Sequence, residues 1–280
     1  MAKPVLSGFA DEYNASFDAQ LEGFSELGIN FLELRSADTV NVSLLTGDDI
    51  KAIKKKLVAK GIGVSAIGSP IGKIKTDADI CEELKKAERV FSYANELGAR
   101  YIRMFSFYPV PEKNFEENKS IVYSSLEKLV KLAGKYNVVL CHENEANIYG
   151  ETPEACLELM KYFGGELKCV FDMGNFVLDG CEPYPHAYEL LREYIEYFHI
   201  KDSLSTGAIV PPGCGEANIA KIIEAHNSYA KEDYFISLEP HLDTFEGLSA
   251  MATKKFENPY VYESRESAFI DAAKRLKALI

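Results

Sequence analysis

The sequence predicts a single-domain (β/α)8 barrel, the TIM barrel, over residues 1–280. Eight short apolar segments alternate with longer amphipathic segments, which is typical of repeated βα units around a parallel sheet. Eight such units in 280 residues favour a closed barrel over an open doubly wound sheet. The first predicted strand is followed by GFADEYN, which lacks the G-x-G-x-x-G turn of an open dinucleotide-binding sheet. No linker rich in Pro, Gly or Ser divides the chain, so one domain is expected.

The predicted strands are short runs rich in β-branched and aromatic residues. They are PVLSGFA (4–10), NFLELR (30–35), IGVSAIG (62–68), RYIRMFSF (100–107), VVLCHE (138–143), KCVFDMG (168–174), IEYFHIK (195–201) and YFISLEP (234–240). Helical patterns lie between them, as a barrel requires.

Four of these helical segments carry clear boundary signals. Residues 16–28 have apolar side chains at helical spacing and end at a Gly. Residues 76–98 open with Thr and acidic residues and also end at a Gly. Residues 152–165 begin Thr-Pro-Glu, which suits an N-cap followed by Pro at the first helical position. Residues 263–280 are predicted to form the last helix and to close the outer ring.

Composition indicates an ordinary globular protein of the cytoplasm. Hydrophobic residues make up 47% of the chain and charged residues 26%. A net charge of −12 argues against nucleic acid or an anionic membrane as partner, since both bind clustered Lys and Arg. No apolar run of about 18 residues predicts a membrane span, and the first residues contain no signal-peptide pattern. The six cysteines form no C-x-x-C pair, so reduced thiols and a cytoplasmic location are expected.

Polar side chains end most of the predicted strands, where barrel enzymes place their chemistry. They are Glu33 and Arg35, Arg103, Glu143, Asp172, His199 and Glu239. Alternate residues of a strand face opposite sides, and the opposite phase is apolar, as at Leu32, Leu140 and Phe198. That apolar phase suits burial under the helices. The charged phase is therefore expected to point into the barrel.

Carboxylates that face one another inside a barrel are costly unless a cation joins them. Glu143, Asp172, His199 and Glu239 are therefore predicted to be the ligands of one divalent metal ion. Three carboxylates and one imidazole suit Mn²⁺, which we favour, and also Mg²⁺, Co²⁺ or Zn²⁺. In the alternative interpretation each of these residues pairs with a Lys or Arg at a strand end.

Several motifs resemble one known family. They are HENE (142–145) followed by YGETPE, FDMGNF (171–176), FHIKD (198–202), SLEPHL (237–242), the opening SGFADE, the ELR of the second strand and GSPIGK (68–73). Their order and spacing are similar to those of the xylose-isomerase-like TIM barrels. More narrowly, they resemble the sugar phosphate isomerase/epimerase branch, which includes ketose 3-epimerases, hydroxypyruvate isomerases and inosose dehydratases.

The resemblance implies roles for individual residues. The family's metal ligands map onto Glu143, Asp172, His199 and Glu239, the four that strand phase selects. In members that epimerise, the two metal-bound glutamates are also the acid/base pair, here Glu143 and Glu239. Some relatives use a substrate-contacting His three residues after the strand-six Asp. This chain has Asn175 there, which keeps hydrogen bonding but lacks a titrating group.

The expected chemistry is proton abstraction next to a carbonyl of a small sugar or keto-sugar. A divalent metal stabilises the enediolate while one glutamate takes the proton and the other returns it. Return to the same carbon gives epimerisation, and return to the neighbouring carbon gives isomerisation. Loss of a β-hydroxyl gives a lyase of the inosose dehydratase type, which is the main alternative.

Other polar residues near the predicted metal are expected to bind substrate or support the ligands. They are Glu33, Arg103, His142, Glu145, Asn175, Lys201 and Asp202. Each has a structural alternative. Lys201 and Asp202 can pair with one another, and Glu33 can pair with Arg35 or Arg103.

Two further residues and one loop keep two interpretations open. His142 has the opposite phase to Glu143, so it can also be a buried histidine under a helix. Glu145 can contact either substrate or Lys73. The loop VPPGCGE (210–216) can bind a phosphate through glycine N–H groups or serve only as a rim loop, so no phosphorylated substrate is predicted.

Two other functions fit the sequence less well. The endonuclease branch of this fold needs many His ligands and a basic groove, whereas this chain has five His and a charge of −12. A non-catalytic sugar-binding barrel has no need of two metal-bound glutamates. The expected partner is a small sugar, with no nucleic acid and no membrane, and a homo-oligomer is left open.

Overall fold

The computed structural model describes residues 2–243 and 260–280. Eight parallel strands form one sheet. The strands are β1 (Pro4–Gly8), β2 (Phe31–Leu34), β3 (Gly63–Gly68), β4 (Tyr101–Met104), β5 (Val139–Glu143), β6 (Leu167–Asp172), β7 (Ile195–Ile200) and β8 (Tyr234–Leu238). Their order in the sheet is β1-β8-β7-β6-β5-β4-β3-β2. The two ends of the sheet, β1 and β2, lie against each other. The barrel is thus nearly closed, which confirms the predicted (β/α)8 fold.

Helices follow the strands and form the outer layer. They are α1 (Phe17–Glu26), α2 (Gly47–Lys60), α3 (Ile80–Leu97), α4 (Phe115–Tyr136), α5 (Pro153–Tyr162), α6 (Met173–Leu178), α7 (Tyr188–Leu191), α8 (Ile219–Tyr229) and α9 (Arg265–Leu279). Local sequence sets several of their ends. The side chain of Thr152 caps α5, whose first residue is Pro153, as the sequence predicts. Ser264 caps α9.

Two boundaries differ from the prediction for clear reasons. Helix α3 begins after Asp79, whose side chain accepts from the backbone N–H of Cys81, and not at Thr76. The Thr76 hydroxyl instead donates to Asn118. Strand β6 ends at Asp172 because that residue caps α6, so Met173 is helical.

The phases of the strands separate interior from exterior as predicted. Ala66, Cys141, Val170 and Tyr197 pack together inside the barrel. The opposite phase, which includes Leu32, packs with the helices in the main hydrophobic core. Side chains that continue the interior phase at the strand ends therefore meet at one mouth of the barrel.

Short irregular elements line this mouth. A 3-10 turn (Ala10–Glu12) follows β1, and two small antiparallel hairpins follow β2 and β7. These hairpins pair Ser36–Ala37 with Val40–Asn41 and Asp202–Ser203 with Ile209–Val210. Among the described residues, no helix is long and apolar enough to cross a membrane.

Candidate metal centre

The structure brings the four predicted ligands together at the mouth of the barrel. Glu143, Asp172, His199 and Glu239 each offer a ligand atom, and these atoms all lie within 4.8 Å of one another. Glu143 and Asp172 end β5 and β6, His199 is the last residue but one of β7, and Glu239 follows β8 directly. All four residues are at most 2% exposed, so they form a closed polar cluster inside the protein.

His199 lies between the two glutamates and turns one ring nitrogen toward them. Its Nδ1 is 3.1 Å from Oε1 of Glu143 and 3.3 Å from Oε2 of Glu239. Its Nε2 is 3.0 Å from Oε2 of Glu33. Burial would lower the pKa of His199, but the three surrounding carboxylates outweigh it and raise the pKa well above its usual value.

Asp172 is held from several sides. One oxygen accepts from the backbone N–H of Asn175 at 2.8 Å and so begins α6, while the other accepts from Lys201 Nζ at 2.8 Å. Asn144 binds the Asp172 backbone at both its N–H and its carbonyl oxygen. Burial raises the pKa of Asp172 to about 6, because the opposing attraction of Lys201 does not offset it.

Permanently charged side chains surround the two glutamates. Arg35 donates to Glu239 at 2.8 Å and also to Asp11 at 2.9 Å. Arg103 lies 3.2 Å from Oε2 of Glu143. Burial raises the pKa of Glu143, but the attraction of His199 and Arg103 is stronger and brings it down to about 2. Glu143 is therefore ionised at neutral pH.

The cluster suits a divalent cation. Oε2 of Glu143 and Oε2 of Glu239 are buried and accept no hydrogen bond within the described structure, although cations lie nearby. Six buried carboxylates lie in the site and its network, and they face three permanent cations and two histidines of raised pKa. They are Asp11, Glu12, Glu33, Glu143, Asp172 and Glu239 against Arg35, Arg103, Lys201, His199 and His241. Oxygen donors with one imidazole and an excess of negative charge match the ligands that Mn²⁺ or Mg²⁺ prefers.

Four of the predicted substrate residues lie in or beside this cluster: Glu33, Arg103, Asn175 and Lys201. Lys201 donates to Asp172 and to Asn175 at 2.9 Å, so the alternative pairing of Lys201 with Asp202 is wrong. Glu33 bonds to Tyr197 and contacts His199, which the sequence did not indicate. Asn175 Nδ2 is 3.5 Å from Glu143.

Glu145 lies at the rim and not in the cluster. Its carboxylate pairs with Lys73 at 2.9 Å, which is one of the two contacts that the sequence left open. Lys73 also lies over the ring of Phe105, 4.3 Å from its centroid. The pair joins the loops that follow β3 and β5.

His142 lies on the other side of β5 from Glu143. Its Nε2 is 2.9 Å from the Ser106 hydroxyl, and it packs so closely on Gly150 that an added Cβ there would be 2.4 Å from the ring. Burial lowers the pKa of His142 to about 4, so the ring is neutral. Its position does not support the predicted contact with substrate, and the alternative of a buried histidine describes it.

Asp202 organises the loop after β7 and does not face the cluster. Its two oxygens accept from the backbone N–H groups of Ser203, Gly213, Gly215 and Ala217 at 2.8–3.1 Å. The glycine N–H groups considered for phosphate therefore already bind a carboxylate. Both oxygens of Asp202 are used by this loop, so the structure does not support the predicted contact of Asp202 with substrate.

Sequence reasoning missed part of the network. Asp11 and Glu12, on the turn after β1, bind Arg35, and His241 lies 3.4 Å from Glu239 and 3.3 Å from Glu12. Asp11 and Glu12 belong to the SGFADE motif, and His241 belongs to SLEPHL. The motifs could have indicated that these residues belong to the site. Strand phase could not, because the residues lie outside the strands.

Comparisons with known proteins place the chain in a family. The model of the xylose isomerase-like TIM barrel matches residues 21–278. None of the curated proteins matches the sequence.

Solved structures share the whole fold at low identity. The probable 3-DHS dehydratase AsbF from Bacillus anthracis superposes with a TM-score of 0.74 at 18% identity, covering 100% of this chain and 98% of that one. D-allulose 3-epimerase from Methylomonas sp., in complex with D-allulose, gives 0.75 at 13% identity, covering 100% and 98%. A xylose isomerase-like TIM barrel protein from Mycobacterium smegmatis, in complex with magnesium, gives 0.70 at 18% identity, covering 99% and 96%. The family match and the barrel together show that this chain belongs to the xylose isomerase-like TIM barrel family.

Proposed function

We propose that this chain is a divalent-metal-dependent isomerase or epimerase of a small sugar or keto-sugar, with Mn²⁺ as the favoured ion. The observation that carries the proposal is the buried cluster of Glu143, Asp172, His199 and Glu239, whose ligand atoms lie within 4.8 Å of one another. These four residues would hold the ion. When bound, it would supply a Lewis acid that polarises a carbonyl oxygen.

Glu143 and Glu239 are the proposed acid and base. Both approach His199 Nδ1, at 3.1 and 3.3 Å, so their carboxylates converge on one small volume. Glu143 is ionised at neutral pH and can accept a proton from carbon. A second carboxylate close by can return a proton to the same carbon or to its neighbour. Arg103 and Lys201, which lie beside these carboxylates, would orient the oxygens of the substrate.

A lyase that uses the same residues is the second candidate. The buried ammonium of Lys201 is 2.8 Å from Asp172 and 3.5 Å from Glu239, where its positive charge can stabilise a departing hydroxide. The structural likeness to a probable dehydratase is compatible with this candidate. NMR spectra of the products separate the two candidates, since only the lyase releases water and forms a dehydrated product.

The test is proton exchange at carbon. Purified protein with Mn²⁺ is incubated with a panel of ketoses in D₂O, and the products are read by NMR. We expect deuterium at a carbon next to the carbonyl, and a rate lowered by about 10²- to 10⁴-fold in Glu143→Gln, since a general base contributes that much. Glu96→Gln is the matched control, because Glu96 lies on helix α3 in an exposed ion pair with Lys54. Exchange at the wild-type rate in Glu143→Gln would overturn the proposal.

The metal is tested separately. Metal analysis of purified protein is expected to find about one divalent ion per chain, and Asp172→Ala and His199→Ala should lose it, because each removes a ligand. Protein that holds no ion and takes up no added Mn²⁺ would exclude a metal-dependent function. The cytoplasmic location remains part of this proposal, and the oligomeric state is left open.

A further inference from the structure

Glu33 lies inside the barrel, in contact with two side chains of β7. It is on β2, next to a register shift that pairs Leu32 with Val64 and Glu33 with Ala66. The shift places Glu33 beside Ala66, whose side chain belongs to the interior cluster. The side chain of Glu33 has no exposed surface. The sequence leaves two roles open for Glu33, contact with substrate and support of the metal ligands, and these buried contacts favour the second.

Both carboxylate oxygens of Glu33 are used by side chains of one strand. Oε1 accepts from the Tyr197 hydroxyl at 3.0 Å, and Oε2 is 3.0 Å from Nε2 of His199. Tyr197 and His199 share the interior face of β7. The carboxylate thus holds the imidazole from the side opposite to Glu143 and Glu239.

The position of Glu33 determines which ring nitrogen of His199 carries the proton. As a metal ligand His199 must be neutral, with one N–H and one lone pair, and a carboxylate beside Nε2 favours the proton on Nε2. The lone pair is then on Nδ1, which faces Glu143 at 3.1 Å and Glu239 at 3.3 Å. The ring of Phe9 packs against the imidazole at 5.0 Å and restricts its rotation.

We infer that Glu33 is a positioning residue that fixes the tautomer and orientation of His199 for a divalent cation. This inference rests on the metal dependence proposed above. Histidine ligands of metals commonly donate their second N–H to a carboxylate, and removing such a partner typically costs about 10- to 100-fold in metal affinity. A residue that only bound substrate would leave metal affinity unchanged.

The test measures metal affinity, not activity. Mn²⁺ dissociation constants are measured by chelator competition for the wild type, Glu33→Ala, Glu33→Gln and Tyr197→Phe. We expect Glu33→Ala to weaken binding about 10- to 100-fold and Glu33→Gln to weaken it less, because the amide oxygen still accepts from Nε2. Tyr197→Phe is the matched control. It removes the other hydrogen bond to Glu33 and should leave affinity within about threefold of the wild type.

A spectroscopic signature separates positioning from a general loss of structure. In ¹⁵N-histidine-labelled, Mg²⁺-loaded protein, the His199 signals are identified by their absence in His199→Gln. We expect the proton on Nε2 in the wild type and in Glu33→Gln, since both keep an acceptor there. Two results would overturn the inference: Mn²⁺ affinity of Glu33→Ala within about twofold of the wild type, or a proton on Nδ1 in the metal-loaded wild type. If the wild type binds no ion, the proposed function fails first.

Discussion

Removing the carboxylate of Asp202 should destabilise the protein substantially. The residue is 1% exposed and accepts four backbone N–H groups, three of them from the far side of the loop after β7: Gly213, Gly215 and Ala217. An added Cβ at Gly215 would lie 2.2 Å from Oδ1, so the loop is packed tightly on this side chain. In Asp202→Ala these N–H groups lose their acceptor together.

The expected cost follows from those hydrogen bonds. A buried donor left without a partner costs about 1–3 kcal/mol. Because water can enter the space that the side chain leaves, we expect a total of about 3–5 kcal/mol for Asp202→Ala rather than the full sum. Asp202→Asn keeps one acceptor oxygen and should lose about half as much.

Urea unfolding followed by circular dichroism measures this loss, since the chain has no Trp for fluorescence. Glu96→Ala is the control. Glu96 forms an exposed ion pair with Lys54, and its loss should change the unfolding free energy by less than about 0.5 kcal/mol. If the unfolding free energy of Asp202→Ala lies within about 1 kcal/mol of the wild-type value, the hydrogen bonds to Asp202 do not stabilise this loop.

Two further changes test the packing of the site and of the outer layer. In Gly174→Ala the new Cβ would lie 2.7 Å from the backbone oxygen of Lys201, so we expect a loss of about 1–3 kcal/mol in urea unfolding. Gly134→Ala, in open space on α4, should instead stabilise by about 0.5–1 kcal/mol, and equal effects at both positions would contradict this account. Burial lowers the pKa of His226 from 6.5 to about 4, so the unfolded chain takes up a proton first as the pH falls. The stability that this neutral ring contributes is full above pH 6.5 and is lost toward pH 4, by about 2 kcal/mol between pH 7.5 and pH 5. His226→Phe should remove that part of the pH dependence of unfolding, and an unchanged slope would refute the assignment.

Strand phase accounts for most of what the sequence could predict about the site. His142 and Glu143 are adjacent, yet only Glu143 has the interior phase, and the structure separates them in that way. Lys201 and Asp202 also differ in phase, and this difference already argues against a pair between them. The fold itself followed from the repeated alternation of strands and helices.

Contacts between interior side chains could not be predicted in this way. Glu33 shares its phase with Arg103 and His199, and only the closure of the barrel decides that it contacts His199. Asp11 and Glu12 lie in a 3-10 turn, where no period of two applies. Local pattern fixes which side a residue faces, whereas its partners depend on distances across the barrel.

The same contacts show that the two proposed acid/base glutamates are held differently. Glu239 is bound through Arg35 to Asp11 on the turn after β1. Glu143 lies instead beside Arg103, whose guanidinium packs over the ring of Phe9 at 5.2 Å and is bonded to the backbone of β3. A change in the turn after β1 therefore reaches Glu239 through Arg35 before it reaches Glu143. The two supports still meet, because Arg103 also lies 3.8 Å from Oε1 of Glu239 and the ring of Phe9 also packs on Arg35 at 4.2 Å, so a change in either support is expected to reach both carboxylates to unequal degrees.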